Sequence, residues 1–149
     1  MRKTLLFLFA LCLAVPAFAD TGMITMRSSH NVPQTAERLE KLIKEKGLTL
    51  FAVVNHQANA EKVGLSLRPT TLVIFGNPKL GTPLMHCKQT VALDLPQKAL
   101  IWQDAKGQTW LSYNDPHYLA RRHEITGCRA VIKKIGGALK GLATAATQN

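Results

Sequence analysis

Six consecutive residues, Thr70-Thr71-Leu72-Val73-Ile74-Phe75, are β-branched or apolar and lie between Pro69 and a Gly76-Asn77-Pro78 break. Such a run fits a pleated, buried surface and is predicted as a strand inside a sheet. Its apolar side chains then need cover from another layer. The rest of the chain has to supply the neighbours and that cover.

Four further segments read as strands. Met23 to Ser28 alternates apolar and polar residues, and Leu48 to Val54 is more apolar. Lys98 to Gln103 and Thr109 to Tyr113 flank Asp104-Ala105-Lys106-Gly107, a hairpin loop with its glycine late in the turn. Asn31 with Gln34 three residues on makes a capping box, and Pro33 suits a first helical turn. Ala36, Leu39, Leu42 and Ile43 form the apolar face of that helix, which Gly47 ends. Asn55 to Leu67 reads as a short helix or turn leading into an extended stretch. Pro78 opens a short helix to Met85, expected to be interrupted near Gly81, and Pro116 starts another through Arg122. In the tail, Cys128 to Thr147, Val131, Ile135, Ala138, Leu142 and Ala145 recur at helical spacing, with Lys133, Lys134 and Lys140 elsewhere on the wheel. This segment either lies on a membrane or closes the sheet, and the sheet's need for cover favours closing.

The first nineteen residues read as an export signal. Arg2 and Lys3 are positive, Leu5 to Val15 is unbroken apolar sequence, and Ala17-Phe18-Ala19 is a cleavage pattern. The apolar run is shorter than the roughly 20 residues a membrane-spanning helix needs. Cys12 follows Leu11 rather than the small residue of a lipobox, so it is expected to leave with the signal. Cleavage would leave 20–149, one domain of 130 residues, and would lower the net charge from +10 to +8. The product is expected in the periplasm or outside the cell, with no transmembrane segment. It would keep Cys87 and Cys128, and an even pair in an oxidising space reads first as a disulfide. The positive charges are scattered and do not interleave with aromatic residues, so nucleic acid is not an expected partner.

Several strings occur in the order of one family. Arg68 to Pro78, then Gly81-Thr82-Pro83-Leu84-Met85, then Asp94-Leu95-Pro96 before Lys98-Ala99-Leu100, then Trp110 to Pro116, resemble the signature of the domain of unknown function 302 (DUF302) family. The resemblance runs from about Met23 to Ala146. It implies an α+β fold of the TATA-binding-protein-like kind: an antiparallel sheet of about five strands with helices packed on one face. It also implies an exported bacterial single domain, and some members carry a cysteine near each of the positions of Cys87 and Cys128. It implies no activity.

The site candidates follow from residue chemistry. The Phe75-Gly76-Asn77-Pro78 turn exposes backbone N–H groups at a strand-to-helix junction. Arg68 could pair a ligand carboxylate, cap a helix C-terminus or meet Asp94. With His56, Asn77, Thr82 and Tyr113, Arg68 is expected to line the pocket of a non-catalytic domain that binds an unidentified small molecule without a cofactor. Met85-His86-Cys87 is the one run of soft ligands. It supports an alternative reading as a copper- or haem-handling periplasmic accessory protein, although adjacent helical residues point about 100° apart. A further alternative is an enzyme using Cys87 with His86 or His56. No H-E-x-x-H, C-x-x-C-H, G-x-S-x-G or phosphate-loop motif is present.

Overall fold

The computed structural model describes residues 21–148, so the expected signal peptide and Cys12 lie outside the described residues. The elements in chain order are β1 (Met23–Arg27), α1 (Val32–Glu45), β2 (Thr49–Asn55), α2 (His56–Glu61), β3 (Thr70–Gly76) and α3 (Pro78–Cys87). A 3-10 turn (Gln89–Leu93), β4 (Gln97–Gln103), β5 (Thr109–Asn114), α4 (Pro116–Arg122) and α5 (Arg129–Thr147) follow. The five strands form one sheet in the order β1-β5-β4-β3-β2, with every pairing antiparallel. β3, the β-branched and apolar run, has a partner on each side.

Register places Val73 opposite Ala99, Thr71 opposite Ile101, and Leu111 opposite Ile101 across the next pair. These side chains share the face that α1 and α5 cover. α1 lies against β2, β3 and β4, and α5 lies beside α1 over β1 and β5. Leu39, Ile43, Val73, Ile101, Leu111 and Leu142 are the inaccessible centre of this layer, each contributing about 1.5–3 kcal/mol by leaving water. On the opposite face Trp102 and Trp110 stack with centroids 6.4 Å apart. Their indole N–H groups donate to Ser112 Oγ and Asp104 Oδ2, both at 2.9 Å.

Local signals explain most element ends. Asn31 Oδ1 accepts from the Gln34 N–H at 2.9 Å, and Gln34 Oε1 accepts from the Asn31 N–H, so the capping box is complete. Gly47 ends α1 with φ +64°, where a side chain would be strained. Asn55 caps α2, which resolves the first part of the 55–67 stretch as a short helix.

Two expectations need correction. α3 is not interrupted at Gly81: it runs unbroken from Pro78 through Gly81 and Pro83 to Cys87. Tertiary contacts override the poor propensity of those residues, with Leu84 buried and Cys87 bonded to Cys128. In α5 the buried stripe is Ile132, Ile135, Leu139, Leu142, Ala143 and Ala146, while Ala138 and Ala145 face outward. Both stripes have helical spacing. They differ by a partial rotation of the wheel, and the orientation that buries Ile132 and Leu139 removes more apolar surface from water. α5 therefore closes the sheet, with Lys133, Lys134 and Lys140 exposed.

Candidate functional site

Where β3 ends, the chain turns through Asn77 into α3 and leaves an apolar pocket of about 270 Å³. Its floor is Phe75 and Gly76 of β3 with Gln97 of β4. One wall is α3, through Pro78, Leu80, Gly81, Thr82 and Met85. The opposite wall is α5, through Ile135, Ala138, Leu139 and Leu142, and the rim is completed by Leu48 and Phe51 on one side and Ala92, Leu95 and Pro96 on the other. No lining residue carries a charge. Asn77, Thr82 and Gln97 are its polar side chains, and Asn77 Oδ1 is already engaged by the Lys79 N–H at 2.9 Å.

Each wall has an identifiable hold. Asn77 caps α3, and its carbonyl also accepts from the Leu80 and Gly81 N–H groups. Gly76 has ordinary backbone geometry. A Cβ there would sit 3.5 Å from Phe51 Cε2 and 3.6 Å from Pro96 Cβ, so the missing side chain widens the pocket rather than relieving strain. α5 is held at its far end by Arg38 of α1, whose guanidinium donates to the carbonyls of Ala145, Ala146 and Gln148. The helix-capping role considered for Arg68 thus belongs to Arg38. The disulfide joins Cys87, the last residue of α3, to Cys128, the residue before α5, across 41 positions.

The rim segment 89–97 is fixed by a polar cluster that no sequence motif announced. His123 is buried at the end of α4, and its Nε2 lies 2.6 Å from Asp94 Oδ2 while its Nδ1 lies 3.3 Å from Thr90 Oγ1. Arg122 Nη1 donates to the other Asp94 oxygen at 3.2 Å. Lys98 Nζ donates to the carbonyls of Asp94 and Pro96. Both carboxylate oxygens and both ring nitrogens are therefore occupied in holding α4, the 3-10 turn and the start of β4 together.

The five expected ligand contacts do not converge. Asn77 and Thr82 line the pocket. His56 opens α2 at the opposite end of β2 from Leu48 and Phe51, and it is exposed. Arg68 precedes β3, whereas the pocket lies beyond the other end of that strand, on the order of 20 Å of extended chain away. Its Nε donates to the Gln103 carbonyl at 3.1 Å, and Asp94 pairs with Arg122 and His123 instead. Tyr113 is a core residue opposite Ala99, and burial, then the Asp115 charge, pushes its phenol above the usual value. At the hairpin, Asp104 is held below the usual carboxylate range by the Trp110 indole N–H, with the Gln108 and Lys106 N–H groups adding to this.

Of the soft-ligand run, Met85 faces the pocket, His86 is exposed outside it, and Cys87 is in the disulfide. Among the described residues, no group of three or more His, Cys, Asp or Glu side chains stands where it could hold a metal ion.

Taken together, a five-stranded antiparallel sheet covered by α1 and α5, with an apolar pocket at one end, defines an α+β domain. Its fold is that of an uncharacterized conserved DUF302 protein from Bacillus stearothermophilus, matched with a TM-score of 0.76 at 20% identity over 85% of this chain and 99% of that one. The family model for the domain of unknown function DUF302 matches residues 24–142, and the chain belongs to that family. It is also 48% identical over 106 residues to proteins named fluoride-specific ion channel FluC 1 from Brucella suis and Brucella abortus, and FluC 2 from Brucella melitensis. That stretch is 71% of this chain but only 39–42% of those proteins, so the chain spans about two fifths of their length.

Proposed function

We propose that this domain is a non-catalytic binding module for a small, uncharged, apolar molecule or the apolar part of an amphiphile, held between α3 and α5. The observation that carries the reading is the pocket's composition. It encloses about 270 Å³ with no charged lining residue and three polar side chains. Burying an unpaired charge there would cost several kcal/mol, whereas apolar surface gains roughly 25 cal/mol per Å². A carboxylate ligand paired to Arg68 is therefore replaced by a neutral one, with Asn77, Thr82 and Gln97 orienting its polar end. Pockets of this kind, apolar with a few polar groups, are the usual form of small-molecule sites.

We take the domain to act after export. The charged, apolar and Ala-x-Ala order of residues 1–19 supports that reading, as does the Cys87–Cys128 disulfide, a bond that persists in oxidising compartments. The fluoride-channel name of the Brucella proteins is not carried to this chain, because the match covers under half of them. Among the described residues, no helix is long and apolar enough to cross a membrane.

Native mass spectrometry of the protein purified from its own secretion pathway, followed by solvent extraction, tests the proposal. A co-purifying neutral lipid-like or aromatic compound is expected. A stoichiometric inorganic anion or metal ion in its place would overturn the reading.

A further inference from the structure

We propose that the Cys87–Cys128 disulfide is an exchangeable redox latch, which an external dithiol opens at Cys87, releasing the α3 wall of the pocket. The consequence for ligand rests on the pocket reading above. The exchange chemistry does not.

The two sulfurs are placed differently. Cys87 ends α3 on the surface, between His86 and Lys88, and is exposed. Cys128 is half-buried, with its Sγ 3.6 Å from the Pro83 carbonyl oxygen. An incoming thiolate therefore reaches Cys87 first. Cys128 stands immediately before the 19-residue α5, and its side chain makes no capping hydrogen bond there. Attack at Cys87 makes Cys128 the leaving sulfur, and it is released into the half-buried space beside the Pro83 carbonyl. Cys128 is also held at φ +44°, a left-handed conformation that side chains other than glycine rarely adopt, and opening the bond removes one constraint on it.

The electrons balance in two steps. The reductant's thiolate attacks Cys87 Sγ, forming a mixed disulfide as the protein S–S bond breaks and its electron pair leaves on Cys128. The reductant's second thiol, deprotonated, then attacks its own sulfur in the mixed disulfide and expels Cys87. Two electrons pass from the dithiol to the protein, the dithiol becomes a disulfide, and its two protons end on Cys87 and Cys128.

Opening the bond matters for the pocket because α3 is lightly anchored. Leu84 is its one buried residue, Gly81 and Pro83 weaken it internally, and the disulfide is its covalent tie to α5. The two helices it joins are the opposing walls.

The test uses the oxidised full chain pulsed with glutathione and then alkylated with iodoacetamide, which traps the mixed disulfide before Cys128 or a second glutathione resolves it. Peptide mapping then locates the adduct, with the peptide carrying Cys12 followed separately. The adduct is expected on Cys87. After dithiothreitol treatment, amide exchange in 78–87 is expected to quicken by about tenfold or more beyond the change in β3, β4 and β5, which register only the global loss of stability. An adduct mainly on Cys128, no adduct in the folded protein, or equal quickening in 78–87 and in β3, β4 and β5 would each overturn the latch. A parallel titration with Nile red, an uncharged apolar dye, separates the two readings. Binding to neither redox form defeats the pocket, while the adduct position and the exchange pattern still decide the latch.

Discussion

Replacing both Cys87 and Cys128 with serine should cost the domain about 4 kcal/mol at 25 °C. The bond closes 41 residues of chain, a loop that includes the 3-10 turn, β4, β5 and α4. In the chain-entropy treatment such a loop restricts the unfolded ensemble by roughly 13 cal/mol/K, which gives that figure at room temperature. Relaxation of the left-handed backbone at Cys128 would return part of it, on the order of 1 kcal/mol, so a measured loss of about 3–4 kcal/mol is expected. For a domain of this size that corresponds to a fall in Tm of roughly 10–20 °C. Urea denaturation of the oxidised protein and the double serine variant, followed by circular dichroism, measures it. The variant should still fold, because the sheet and the α1–α5 layer are closed without the bond. A loss below about 1 kcal/mol would refute the loop-entropy reasoning, and a variant with no cooperative transition would refute the claim that the core stands without the bond.

Three further outcomes follow from single sites. Gly81→Ala should stabilise α3 by up to about 1 kcal/mol, since its Cβ would meet nothing nearer than Leu95 Cδ1 at 3.9 Å; a destabilised variant in thermal melts would show that the helix interior is tighter than described. Asp94→Asn should cost about 2–3 kcal/mol by leaving His123 and Arg122 without their carboxylate, read from urea midpoints; a change below about 0.5 kcal/mol would show that the cluster does not hold the rim. Tyr113 has a raised pKa, so the folded state holds its proton more tightly than the unfolded one. Its contribution is complete below about pH 10 and is lost as pH rises through the folded value. Wild-type stability should therefore fall more steeply than that of Tyr113→Phe above that pH, and parallel curves would contradict this.

Features whose cause is local were legible before the structure. The Asn31–Gln34 box, the Gly47 stop, the 104–107 loop and the Pro116 helix start each depend on residues a few positions apart, and all appear where expected. The strand run at Thr70 demanded neighbours, and periodicity found them. The buried face of α5 was misjudged because alanines made two stripes similar, and only the sheet beneath it distinguishes them. The candidate site was partly legible: Asn77 sits at the turn that the sequence marked, Thr82 lies in the helix that follows it, and both line the pocket. Other lining residues, such as Leu48, Ala92 and Ile135, come from distant segments that only the tertiary fold brings together. Arg68 was misplaced for a geometric reason, since the two ends of one strand lie at opposite ends of the sheet. The pairing of His123 with Asp94 was not legible, because the two are 29 positions apart and no spacing links them.

The most direct test of the central claim is a Nile red fluorescence titration of three proteins: the parent, Ala138→Phe and Arg68→Ala. Ala138 lines the pocket from the outward side of α5, so phenylalanine there should fill much of the space with little effect on Tm. Arg68 lies at the other end of β3, held by the Gln103 carbonyl. Binding by the parent and by Arg68→Ala with the same Kd, weakened by about tenfold or more in Ala138→Phe, is the expected result, a loss of about 1.4 kcal/mol or more. Equal binding by all three, or loss in Arg68→Ala alone, would contradict the pocket between α3 and α5 as the binding site.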